Sequence, residues 1–309
     1  MTAKPMNELE KTLDKNTYYW MSPIGLGDTL ILAGYQKALE TKLGGHIRFI
    51  VKPPHAEVMK MYGIHDYIIA AYNGNAKDPN NPLHQLAKEC PIPTKGKIYV
   101  AHPDFHPALK TYSDTLQEMP MGLKFLDWYK SFLELPPQTR LEKPIYFPKL
   151  NKEVQKQVEK NGSLDHTVLL VPEANTLSAL HMDFWEKQAA DLQHKGYQVI
   201  TSATRPEFKV KGIPNIETSL EQLIALAMSV KYVYALRSGL CDLIAPKGKN
   251  LFVFYSGGEK AASMYNLQEM FNRSDIHEFI IPETTPIKPK LLTKDLRKNA
   301  LLFRQKQRC

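Results

Sequence analysis

The chain has 309 residues, 43% of them hydrophobic and 23% charged, which supplies apolar material for two domains of about 150 residues each. No run of about 18 apolar residues occurs, so nothing in the sequence reads as a membrane span. The net charge of +8 is local: from residue 286 onward eight basic residues stand against the single acid Asp295, which excludes a basic, nucleic-acid-binding face spread over the fold.

In chain order, residues 18–21 read as a strand and 29–43 as a helix stopped by Gly44-Gly45. Strands are expected at 46–51, 67–71 and 97–102, with a helix over 55–61 and an aromatic-rich helix over 123–135. Residues 136–148 hold four prolines and cannot continue a helix, so they serve as a bridge. Beyond it a second series begins. A polar helix over 151–160 precedes a continuously apolar strand over 167–171, the pattern of a strand buried on both faces. Asp183 with Glu186, and Ser219 with Gln222, have capping-box spacing ahead of helices 184–194 and 220–228. Further strands are expected at 197–201, 232–236 and 251–255. Strands alternating with helices define an α/β fold with parallel sheets, and two such series make two doubly wound domains. The expected division is 1–145, 146–285 and a basic amphipathic helix over 286–309.

Three segments at strand ends carry candidate chemistry. The first is Ser22-Pro23-Ile24-Gly25-Leu26-Gly27-Asp28-Thr29, where Gly25 and Gly27 let the backbone turn and Asp28 arrives at the mouth of a helix. Asp28 is there either as a helix cap or as a site carboxylate. Leu30 stands where a third glycine would complete GxGxxG, so the dinucleotide fingerprint is incomplete. The second segment runs from Leu236 to Ala245. The Ser238 and Gly239 N–H groups would open a helix as an anion site, with Arg237 adding a planar fork suited to a diphosphate. A capped helix start with a surface arginine is the alternative. Asp242 would meet a ribose or sugar hydroxyl, or solvent. The third segment is the polar loop Val171-Pro172-Glu173-Ala174-Asn175-Thr176-Leu177-Ser178, either a site lining or an ordinary turn.

Taken together, these parts resemble the heptosyltransferase-like glycosyltransferases of family 9, which have the GT-B fold. The likeness rests on the strand running into Gly25-Leu26-Gly27-Asp28, on Pro172 and Ala174, on Phe184-Trp185, and on Gly196-Tyr197-Gln198-Val199. It continues through Ile216, Ser219-Leu220, Leu223 and Ala225-Leu226-Ala227 to Ser238-Gly239, and covers roughly two-thirds of the chain. The resemblance implies two Rossmann-like domains facing a central cleft. It makes Asp28 the base and the Ser238–Asp242 turn the donor-phosphate site. From their places at strand ends, Arg237, Ser238, Gly239, Asp242, Asn175 and Thr176 are expected on the donor side, and the loops with Gly25, Gly27, His102 and Asp104 on the acceptor side. The reaction that the resemblance implies is inverting, metal-independent transfer from a nucleotide-sugar donor to a glycan or glycolipid hydroxyl, without a cofactor, in bacterial surface-polysaccharide synthesis. The sequence departs from the family where an acidic residue is usual and Arg237 stands, and where a histidine is usual and Asp242 stands; the arginine resembles fucosyltransferase-like relatives. A sugar-nucleotide epimerase and a non-catalytic nucleotide- or glycan-binding protein are the other readings of the same scaffold.

Cys90, Cys241 and Cys309 lie far apart without CxxC spacing and read as unpaired thiols. The N-terminal stretch has no apolar segment of a secretory signal, so a cytoplasmic location is expected. His102 and His106 flank Asp104, but Pro103 and Pro107 exclude a regular helical metal presentation, and an acceptor contact or a plain loop is favoured. In the tail, Leu292, Leu296, Ala300 and Phe303 share one helical face. Such a helix either docks on the first domain or lies against anionic lipid at the inner membrane face.

Overall fold

Two sheets of mainly parallel strands form the protein, one in each of two units: the first ends at Tyr146, within the proline-rich stretch, and the second runs on from Phe147 and also takes in Phe125. The computed structural model describes residues 4–106, 124–160, 162–174, 179–247, 250–256, 258–281 and 290–291.

The first unit contains β1 (Lys4–Pro5), β2 (Tyr18–Met21), β3 (Ile47–Val51), β4 (Tyr67–Ala71) and β5 (Ile98–Val100), in the spatial order β1-β4-β3-β2-β5. All neighbours are parallel. Met21, Ile50 and Val100 come from three strands and share one buried cluster with Leu83 and Ala87 of the helix Pro82–Glu89. From β2 the chain builds outward through β3 and β4, then returns to place β5 on the other side of β2. The loops after β2 and β5 therefore diverge, and their carboxyl ends are the switch point at which doubly wound sheets bind ligands.

The second unit contains β6 (Thr167–Val171), β7 (Gln198–Thr201), β8 (Tyr232–Leu236), β9 (Leu251–Tyr255), β10 (His277–Ile280) and β11 (Lys290–Leu291), in the order β11-β10-β9-β8-β6-β7. Its pairs are parallel except β10 with β11. Every residue of β6 is buried: Val168–Val171 are an unbroken apolar run, and the Thr167 hydroxyl bonds the Ser163 carbonyl and the Gln198 amide oxygen. Trp185, on the helix Met182–His194, packs edge-on against Phe254 of β9 at 5.7 Å. Here the direction of winding reverses between β6 and β8, so the switch point of this sheet lies beyond Val171 and Leu236.

Several expected boundaries move. The helix over 29–43 is two helices, Leu26–Gly34 and Gln36–Leu43, broken at Tyr35. Gly34 sits at that break because a side chain there would meet Leu141 Cδ1 at 2.5 Å. Asp183 does not cap its helix: His181 occupies the cap and Asp183 lies in the first turn, paired with the His181 ring at 3.1 Å. Ser219 does accept the Gln222 N–H, but the Gln222 amide oxygen accepts from the Asn151 N–H instead of closing the box. Pro82–Glu89, Gly258–Met264, β1, β10 and β11 have no counterpart in the sequence reading. Of the expected tail helix, Lys290–Leu291 pairs as strand β11, and residues 286–289 and 292–309 lie outside the described residues. No helix among the described residues is long and apolar enough to cross a membrane.

Candidate active site

The switch point of the first unit is built around Asp28. Ser22 follows β2, and the helix Leu26–Gly34 begins so early that Asp28 falls in its first turn, with Gly25 as the cap residue. Asp28 is therefore not the cap. Its Oδ2 reaches back to accept the Gly25 N–H at 2.9 Å. Gly25 is required by space rather than by an unusual backbone angle: its φ is −109°, and a Cβ there would lie 2.9 Å from the same Oδ2.

Two further groups close on the other oxygen. The Tyr129 hydroxyl, from the helix Phe125–Phe132, donates to Asp28 Oδ1 at 2.8 Å. His102, two residues beyond β5, brings Nε2 to 3.5 Å from Oδ1, while its Nδ1 accepts the Asp104 N–H at 3.2 Å. Asp28 is only 9% exposed. Burial works to raise its carboxyl, but His102, the Tyr129 hydroxyl and the Gly25 N–H together outweigh it and hold the group below the ordinary carboxylate range. A carboxylate ionised at neutral pH, kept at the switch point of a doubly wound sheet, can accept a proton from a bound hydroxyl.

A second layer lies behind it. Thr29 Oγ1 is 2.6 Å from Ser22 Oγ and 2.7 Å from His55 Nδ1. Burial, and then the charge of Lys52, push His55 down to about 4 against the pull of Asp28. Lys52, one residue past β3, donates to the Ile24 carbonyl at 3.1 Å and lies over the Tyr72 ring. Burial lowers its ammonium, opposed by Asp28. His106, the second expected histidine, points away from this chemistry, its Nε2–H donating to the Val100 carbonyl at 2.8 Å.

In the second unit, Arg237 and Ser238 follow β8 and Gly239–Ile244 is a short helix. The Ser238 and Gly239 N–H groups have no partner among the described residues. The Arg237 fork does not project with them. It is 5% exposed and turned inward, bidentate to Asp242 at 2.6 and 3.0 Å. It also donates to the Ser238 and Tyr265 carbonyls at 2.8 and 3.2 Å. Both residues are expected on the donor side; here they form a buried pair with each other, because neither charge can be buried alone. On the β6 side, Glu173 accepts from the Thr204 and Arg205 N–H groups and from the Arg205 Nε. Asn175 and Thr176 lie outside the described residues.

No family model and no curated protein matches the chain. Solved structures do. A family 9 glycosyltransferase from Veillonella parvula is 12% identical with a TM-score of 0.55, over 93% of this chain and 90% of that one. The ADP-heptose LPS heptosyltransferase II of E. coli is 13% identical with a TM-score of 0.53, over 93% of this chain and 99% of that one. The chain has the GT-B fold.

The expected residues separate between the two units. Gly25, Asp28, His102 and Asp104 gather in the first unit, whereas Gly27 lies within the first helical turn without a left-handed backbone angle. Ser238, Gly239, Arg237 and Asp242 gather in the second. Tyr129, Thr29, His55 and Lys52 escaped the sequence reading. The aromatic-rich helix was visible, but nothing local marks which of its rings approaches a carboxylate 101 residues earlier. Among the described residues, no three His, Cys, Asp or Glu side chains are grouped so as to hold a metal ion.

Proposed function

We propose that this protein is a glycosyltransferase that moves a sugar from a nucleotide-sugar donor to a hydroxyl of a glycan or glycolipid. The observation that carries the reading is Asp28, a buried carboxylate kept ionised at the switch point of the first unit. The acceptor hydroxyl loses its proton to Asp28 as its oxygen bonds to the anomeric carbon. The bond from that carbon to the diphosphate breaks, and a nucleoside diphosphate leaves. A single displacement of this kind inverts the anomeric centre.

The donor side belongs to the second unit. There the Ser238 and Gly239 N–H groups, without a partner among the described residues, meet the diphosphate, and Arg237 shapes the turn through Asp242 rather than binding phosphate itself. Backbone donors supply the charge stabilisation, so the reaction uses neither metal nor cofactor. The role fits bacterial surface-polysaccharide synthesis in the cytoplasm. The basic tail would hold the enzyme at anionic lipid, where glycolipid acceptors are anchored.

Asp28→Asn tests the reading. The amide keeps the size of the side chain but cannot take the proton, so transfer should fall by about 10²–10⁴. Nucleotide affinity should stay close to that of the parent chain, because Asp28 addresses the acceptor. Normal turnover in the variant would leave Asp28 as a helix-start residue only.

A further inference from the structure

The two oxygens of Asp28 are not equivalent. Oδ1 accepts from the Tyr129 hydroxyl and faces His102 Nε2. Oδ2 has one partner among the described residues, the Gly25 N–H. A carboxylate oxygen offers two lone pairs: at Oδ1 one takes the Tyr129 hydrogen bond and the other faces His102 Nε2 at 3.5 Å, whereas Oδ2 keeps one acceptor position.

The roles of the two neighbours follow from their other contacts. His102 Nδ1 accepts the Asp104 N–H, which places the ring proton on Nε2, toward Asp28. His102 is thus a donor to the carboxylate and is not placed to receive a proton from an acceptor. Burial, and then the charge of Asp28, raise the Tyr129 hydroxyl well above its ordinary value, so it too remains a donor. The titratable and charged groups around Asp28 come from three directions. They are Lys52 and His55 after β3, His102 and Asp104 after β5, and Tyr129 from the helix Phe125–Phe132.

We propose that Tyr129 and His102 are positioning residues that occupy Asp28 Oδ1 and so direct the acceptor's proton to Oδ2. The proposal rests on the reading of Asp28 as the base and deepens it. Both residues act through the carboxylate. Removing either donor costs the ionised form of Asp28 without removing the group that accepts the proton.

Tyr129→Phe is the informative variant, since it keeps the ring and its packing at 5.6 Å from Trp128 and 6.4 Å from Phe132. Two readouts are made on the full chain: the Asp28 carboxyl titration by carbon NMR, and the pH dependence of kcat and KM for sugar transfer. We expect the Asp28 midpoint to rise by about one pH unit, with the acid limb of kcat rising by the same amount. The acceptor KM should change by less than about twofold, since Tyr129 acts through Asp28. His102→Ala should raise the midpoint as well, and His102→Gln, which can present an amide N–H, should return part of it. An unmoved Asp28 midpoint in both Tyr129→Phe and His102→Ala overturns the proposal. So does a rise in acceptor KM with an unmoved acid limb, which would place Tyr129 on the substrate. If the parent chain transfers no sugar from any nucleotide donor, the reading of Asp28 as a base fails; a shifted midpoint then still upholds the two residues as holders of the carboxylate.

Discussion

A carboxylate that has lost most of its water stays ionised only where donors replace that water. Around Asp28 they are one backbone N–H, one phenol and one imidazole, each from a different stretch of chain. The imidazole behind them, His55, has the opposite problem, because burial beside Lys52 penalises its charged form. Its folded value of about 4 lies below the unfolded 6.5, so the unfolded chain binds more protons between those limits. Stability from His55 is therefore fully present above pH 6.5 and is lost as the pH falls toward 4, by up to roughly 3 kcal/mol. His55→Gln should flatten that part of the stability profile, leaving the smaller contribution of His106, whose imidazole burial also lowers. Urea unfolding at a series of pH values checks this; an unaltered slope would show that His55 titrates as an exposed histidine does. Asp28 contributes in a different range: its stabilisation is present above its unfolded value of 3.8 and disappears as the pH falls through its lower folded value.

At the scale of single elements, the two strand-to-helix turns solve the same problem by different means. After β2 the acid three residues past the cap reaches back to the cap's own N–H, and glycine at the cap makes room for it. After β8 an ion pair does the work, tying Arg237 to Asp242 within the following helix and to the Tyr265 carbonyl. Truncating one partner of such a pair leaves a charge in the interior, so Arg237→Ala should cost about 3–5 kcal/mol of unfolding free energy. The double variant Arg237→Met with Asp242→Leu should recover most of that loss, since neither charge of the pair then remains buried. Denaturant unfolding of the three proteins measures the difference. A small stability loss in Arg237→Ala together with a large loss of nucleotide affinity would return the guanidinium to the ligand.

Across the whole molecule, the proposed function divides labour between the units: the proton acceptor in the first, the diphosphate in the second. A nucleoside diphosphate alone should then engage only the second unit. Hydrogen exchange on the full chain with ADP, GDP, UDP and CDP should show one of them protecting the Ser238, Gly239 and Leu240 amides. The Gly25 and Asp28 amides should exchange as before. The same nucleotide should raise the melting temperature, by an amount set by its concentration relative to its dissociation constant. Protection at Gly25 and Asp28 instead would assign the nucleotide to the first unit and reverse the division.

Much of this was legible in the residues alone. The strands at Tyr18–Met21, Tyr67–Ala71, Thr167–Val171, Tyr232–Leu236 and Leu251–Tyr255 stand where apolar runs and turn residues put them, because strand burial is written in consecutive side chains. The class of fold followed from their alternation with helices, and Asp28 was marked by its place at a strand-to-helix turn. What surrounds Asp28 was not legible. Tyr129 and His102 lie 101 and 74 residues away in sequence, and only the sheet order, with β5 beside β2, brings the end of β5 to it. The inward turn of Arg237 was hidden for the same reason. Sequence shows a charge beside a helix start, and whether that charge faces ligand or protein depends on Asp242 and Tyr265 closing around it. Local pattern decides which segments become strands and helices; the partners of a buried charge are decided by long-range packing, which no short window of sequence contains.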